Sequence, residues 1–182
     1  MVKIIVEETD DKNLLMALLR DLNLGDKSKL PSYFEIMGGK SPLLDFEQRK
    51  YNKLNGQIEL NKITKVLFIF DCDLEEDDKK CGGIEKSEQC FNRLKEKLNW
   101  NIDIDYYIFN RNLDYFLVDT ITPETRQQCF TDFEECIDLK KIKPNRKPIA
   151  NLYRDLYPQN PYDFSHKKFN TLKQKLINLF NE

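Results

Sequence analysis

Between Val2 and Asp114 four short apolar runs alternate with stretches whose apolar residues recur at helical spacing. Val2 to Val6, largely β-branched, predicts a first strand. It stops at Glu7-Glu8, after which Leu14, Leu15, Leu18, Leu19 and Leu22 give a first helix one continuous apolar face. Thr9 is placed to cap that helix, with Asp10 and Asp11 in the first turn, where backbone N–H groups lack helical partners. Asn23 to Ser28 reads as a helix stop and loop, and Tyr33 to Met37 predicts a second strand closed by Gly38-Gly39-Lys40. Such a glycine pair marks a turn with unusual backbone angles. Residues 43 to 55 are weakly helical and end at Asn55-Gly56. Val66 to Phe70 is apolar throughout, the pattern of a central strand covered on both faces. A loop from Glu75 to Gly83, expected to be mobile, precedes a helix over Ile84 to Leu98, and Ile104 to Phe109 predicts a fourth strand.

This alternation predicts βαβ units: an α/β fold, a Rossmann-like three-layer sandwich around a mostly parallel four-stranded sheet, with a helical C-terminal extension. The expected division is an α/β domain over residues 1–118 and a helical extension over 119–182 packed on the same core. Within the extension, Thr122-Pro123-Glu124 opens a helix with Phe130, Phe133, Cys136 and Ile137 on one face. Ile149 to Leu156 and Ser165 to Phe180 predict two more, the last carrying a core stripe of Phe169, Leu172, Leu176 and Leu179.

The candidate chemistry lies where strands end. Phe70-Asp71-Cys72-Asp73 closes the third strand with carboxylates at i and i+2, which share a side in extended backbone and are suitable oxygen ligands for Mg²⁺. Glu7 closes the first strand and Asp114 lies just past the fourth. In a parallel sheet these ends share one edge, where α/β proteins place their sites. The bland reading of Asp71 and Asp73 is the start of a solvated acidic turn that runs on through Glu75-Glu76-Asp77-Asp78.

Composition narrows the choices. The five cysteines are an odd set without a Cys-x-x-Cys pair, which predicts reduced thiols rather than a zinc site or a disulfide framework. The one histidine, His166, excludes mechanisms that need two imidazoles and reads as a surface residue near a helix cap. A net charge of −2 excludes a polycation, so nucleic-acid binding requires a local basic face or metal ions. Lys140 to Lys147 is one basic stretch that also reads as a solvated loop. No segment has the length of apolar residues that a membrane span needs and no signal-peptide pattern precedes the first strand, so a cytoplasmic location is expected.

Ile5-Val6-Glu7-Glu8-Thr9-Asp10-Asp11, followed some sixty residues later by Phe70-Asp71-Cys72-Asp73, resembles the Toprim domain shared by topoisomerases, primases and the overcoming-lysogenization-defect nucleases. The resemblance covers about residues 2 to 114. It implies Glu7 as the catalytic acid or base and Asp71 and Asp73 as ligands of Mg²⁺ or Mn²⁺. Asp11 matches a second acid used by those nucleases, and Asp114 matches an acid after the fourth strand more weakly. The family's glycine after the catalytic Glu is Glu8 here, and its glycine after the second strand has a counterpart in Gly38 or Gly39. Lys40 and Arg111, beside the strand ends, are candidate phosphate contacts, as are Lys79 and Lys80. The implied function is metal-dependent phosphoryl transfer on nucleic acid by a nuclease or nickase, since 182 residues leave little room for a tyrosine-bearing topoisomerase domain. The main alternative is a non-catalytic Toprim-like fold that binds Mg²⁺, nucleotide, a protein partner or a second copy of itself. A phosphatase of the haloacid dehalogenase type is a minor alternative, because its Asp-x-Asp strand normally opens the domain.

Overall fold

A computed structural model describes residues 1–120 and 162–181. Strand β1 (Val2–Val6) leads into α1 (Thr9–Asp21); a single 3₁₀ turn at Leu30–Tyr33 precedes β2 (Phe34–Ile36). Two helices, α2 (Lys40–Leu44) and α3 (Arg49–Glu59), lead to β3 (Lys65–Asp71), α4 (Ile84–Leu98), β4 (Asp103–Phe109) and α5 (Leu113–Val118). The last helix of the described residues is α6 (Asn170–Phe180), entered through a 3₁₀ turn at Lys167–Phe169 that His166 caps by accepting the Lys168 N–H at 3.3 Å.

The strands are parallel in the order β2-β1-β3-β4, the α/β sandwich that the alternating pattern predicts. The period of two along the central strands divides the core. Ile4, Val6, Leu67 and Ile69 meet α1, α5 and α6 on one face through Leu14, Leu18, Leu117, Leu172 and Leu176. Ile5, Val66, Phe68 and Phe70 meet α2, α3 and α4 on the other through Leu43, Tyr51, Leu54, Phe91 and Leu94. Burial of both faces is what allows β3 to be apolar without alternation.

Four local expectations change. Glu8, not Thr9, is the N-cap of α1: the Glu8 N–H donates to Asp11 Oδ2 at 2.9 Å, and the Glu8 side chain accepts from the Asp11 backbone in a reciprocal capping box. The second strand is only three residues long because Pro31 draws the chain ahead of it into a 3₁₀ turn. Residues 43 to 55 span the end of one helix, a turn and most of a second, which runs through Asn55-Gly56 to Glu59 because Tyr51 and Leu54 anchor it in the core. The loop after β3, expected to be mobile, folds into successive turns: the N–H groups of Asp77 and Asp78 donate to the Leu74 carbonyl and that of Gly82 to the Asp78 carbonyl at 2.7 Å. The helices predicted at Thr122 and at Ile149 to Leu156 and the basic stretch Lys140 to Lys147 lie outside the described residues. No helix among the described residues is long and apolar enough to cross a membrane.

A candidate acidic site at the carboxyl edge of the sheet

Val6 is in register with Ile36 on one side and Ile69 on the other, so Glu7 leaves the sheet beside the end of β3. Its side chain is buried, and Glu7 Oε1 accepts the Asp71 backbone N–H at 2.7 Å, joining the ends of β1 and β3. The Glu7 carbonyl accepts the N–H groups of Gly38 at 2.8 Å and Gly39 at 3.1 Å. That turn requires glycine for its backbone angles, φ +95° and +130°, and not for space, since a Cβ at Gly38 would meet nothing within 4 Å. Glu8, where the Toprim pattern has glycine, has extended backbone (φ −136°, ψ 174°) that any residue adopts.

Beyond Asp71 the β3–β4 ladder continues irregularly. The N–H of Cys72 donates to the Phe109 carbonyl at 3.0 Å and that of Asp73 to the Arg111 carbonyl at 2.8 Å. Asp73 and Arg111 both have left-handed backbone, φ +55° and +65°, which turns the two strand exits away from the sheet. The Cys72 thiol accepts the Arg111 N–H at 3.0 Å, but burial pushes its pKa up despite that bond, so it is no thiolate nucleophile at neutral pH.

Lys40, the first residue of α2, organises this edge. Its side chain is buried, and Nζ donates to the carbonyls of Cys72 at 2.7 Å and Cys81 at 2.8 Å. The same ammonium pairs with Asp73 at 3.4 Å and Asp78 at 3.2 Å, which commits its donors within the protein. The fully buried Ser87 hydroxyl reaches the same two carbonyls, at 3.3 Å and 2.6 Å. Burial pushes the Asp78 carboxyl up, but the N–H groups of Cys81 and Lys80 and the Lys40 ammonium outweigh it and hold Asp78 below the usual carboxylate value. Gly82 completes the loop by close approach: a Cβ there would lie 2.4 Å from the carbonyl oxygens of both Asp78 and Leu74.

The loop is also closed covalently. Cys81 and Cys90 form a disulfide, which corrects the expectation of five reduced thiols: the turns after β3 return Cys81 to the first turns of α4, a proximity invisible in their spacing. Cys72 is a free buried thiol; Cys129 and Cys136 lie outside the described residues.

These parts enclose an open cleft of ≈ 420 Å³ lined by six carboxylate residues, Glu7, Glu8, Asp71, Asp73, Asp77 and Asp78, together with Lys40 and the Gly38-Gly39 turn. Of the residues singled out in the sequence, Glu7, Asp71, Asp73 and Lys40 meet there. Asp11 and Asp114 are buried but do not line it; Asp11 serves the capping box, and Asp114 lies in the first turn of α5. Arg111 is exposed, with its guanidinium 4.7 Å from the Tyr115 ring centroid. Asp77, Asp78, Glu8 and Ser87 join the site without having been singled out. The run of acids after β3 was their one signal, and it reads equally as solvated turn.

The cleft's donors are hard carboxylate oxygens of the kind Mg²⁺ and Mn²⁺ take. As placed, no group of three or more His, Cys, Asp or Glu side chains among the described residues is arranged to hold one ion. In that arrangement Glu7 Oε1 accepts the Asp71 N–H and Asp73 pairs with Lys40. The chain matches no family model, no curated protein and no solved structure.

Proposed function

We propose that the chain is a metal-dependent phosphodiesterase acting on nucleic acid, a nuclease or nickase with a Toprim-like site. One observation carries this reading: six carboxylate residues and a single ammonium line one open cleft at the carboxyl edge of a parallel sheet. Carboxylates gathered this closely favour a multivalent cation. Asp71 and Asp73 would hold Mg²⁺ or Mn²⁺ with Glu7 beside them, and the ion supplies charge neutralisation at the phosphoryl oxygens and activation of water. Glu7, at the mouth of β1, is the group to take or return a proton. Gly38 and Gly39 leave the backbone beside Glu7 open to a substrate, since neither has a side chain to fill the cleft.

A second reading draws on Lys40. Because its ammonium already neutralises Asp73 and Asp78, the same fold can bind nucleotide, Mg²⁺ or a protein partner without turnover. Assays of single-stranded and duplex DNA and of RNA with Mg²⁺ or Mn²⁺ separate the two. The expected result is metal-dependent cleavage that falls at least about a hundredfold in Asp71→Asn, with the fold checked by circular dichroism. Absence of cleavage by the wild-type chain across these metals and substrates overturns the phosphodiesterase reading in favour of the second.

A further inference from the structure

A larger groove, ≈ 640 Å³, opens on the other side of Lys40 and shares Lys40, Ser41 and Asp78 with the acidic cleft. Its lining differs in sign. Arg93 and Lys97 lie one helical turn apart on α4, both exposed, and Lys80 faces the same space from the loop. None of the three forms an ion pair with a described residue. Phe46, 37% exposed, lines the same groove, and the Lys97 ammonium lies over its ring 4.3 Å from the centroid. Asp45 and Glu47 flank it, and the Asp45 carboxylate is engaged by the Glu47 N–H at 3.1 Å and by Gln48 Nε2 at 3.0 Å.

We infer that this groove is the track of a nucleic-acid single strand whose scissile phosphate reaches the acidic cleft past Lys40. The inference rests on the phosphodiesterase reading for the direction of the strand, but on the groove's own residues for its ligand. Cations one turn apart, about 6 Å along the helix, suit a phosphate backbone. A partly exposed aromatic ring, one face of it under the Lys97 ammonium, suits a base that has left its stack, which a duplex does not offer. The groove is lined by four cationic residues, Lys40, Lys80, Arg93 and Lys97, against three carboxylates, Asp45, Glu47 and Asp78, in a chain whose net charge is −2.

The test uses the full-length Asp71→Asn chain, so that binding is read without cleavage, with fluorescein-labelled oligo-dT in EDTA and fluorescence anisotropy as the readout. Three phosphate contacts predict a slope of log K against log salt near about −2, and Arg93→Ala/Lys97→Ala lowers its magnitude by about 1.4 while weakening binding roughly tenfold or more. Phe46→Ala weakens binding by about tenfold and leaves the slope unchanged. Lys97→Glu is a second charge variant at an exposed helical position, where folding is not at stake. Binding that depends on these residues, in a chain that cleaves nothing, supports the groove while the phosphodiesterase reading fails. Cleavage by wild type with affinity and KM unchanged in all three variants overturns the groove and leaves the active site standing. Tighter binding of the duplex form, or no binding of oligo-dT, also overturns it.

Discussion

The two clefts that meet at Lys40 share three residues, yet one sets six carboxylates against Lys40 and the other sets Lys40, Lys80, Arg93 and Lys97 against three carboxylates. Their sources in the fold differ as well. The acidic cleft is built from strand ends, Glu7 after β1 and Asp71 closing β3, whose positions follow from sheet register, and from the turns beyond, which bring Asp73, Asp77 and Asp78. The basic groove is built from one face of α4 and from the segments around α2, where side chains are long and exposed. On the reading proposed above, the ion-binding oxygens sit on the rigid edge, while the track for a flexible polyanion sits on helix and loop. Lys40 is the one cation common to both linings: a buried ammonium that binds two backbone carbonyls and two carboxylates.

The strongest way to break this contrast is to remove that cation. Lys40→Met fills similar space but leaves Asp73, Asp78 and the two carbonyls without the ammonium, a loss of about 3 kcal/mol in urea-induced unfolding. A loss below about 1 kcal/mol would show that the clefts do not depend on Lys40. Next in size is the covalent tie. Reducing Cys81–Cys90, or replacing Cys90 by Ser, opens a loop with a sequence separation of 9 and is expected to cost about 2.5 kcal/mol on a chain-entropy basis. Because the Cys81 carbonyl faces both Lys40 and Ser87, reduction should also raise hydrogen exchange at Gly82 and Gly83; unchanged exchange would separate the disulfide from the site.

The smallest effect is on pH dependence and concerns Asp78. Its folded pKa is depressed, so the stability it contributes is fully present above the ordinary value of 3.8 and is lost as pH falls through the lower folded value. In Lys40→Met that acid limb moves up towards 3.8. Identical acid unfolding profiles for the two chains would contradict the pairing of Lys40 with Asp78.

What could be read in advance was governed by period and by sheet register. β1, β3, α1 and α4 show in the chain because burial imposes a repeat on their apolar residues, and a parallel sheet then gathers Glu7, Asp71 and Asp73 at one edge. Lys40 was visible as a neighbour of that edge but not as a buried ion, because its burial depends on the carbonyls of Cys72 and Cys81, distant in sequence, which accept from it. The helix cap moved from Thr9 to Glu8 because Asp11 completes a reciprocal pair, a contest between two capping patterns that composition alone does not decide. The Cys81–Cys90 bridge was hidden for a related reason: it depends on the turns that Asp78 and Gly82 impose between them.

The bond from the Asp71 N–H to Glu7 spans 64 positions of the chain, with α1, β2, α2 and α3 in between. A contact so distant in sequence forms after the crossovers that bring its strands together, so the order of assembly is set by topology. While β1 and β3 are still apart, Glu7 and Glu8 are far in the chain from the acids that begin at Asp71, and the two groups scarcely repel one another. The repulsion between these two groups enters late, when the paired strands already hold the backbone, whereas the repulsion within the run Asp71 to Asp78 is present in the unfolded chain as well and weighs less on folding.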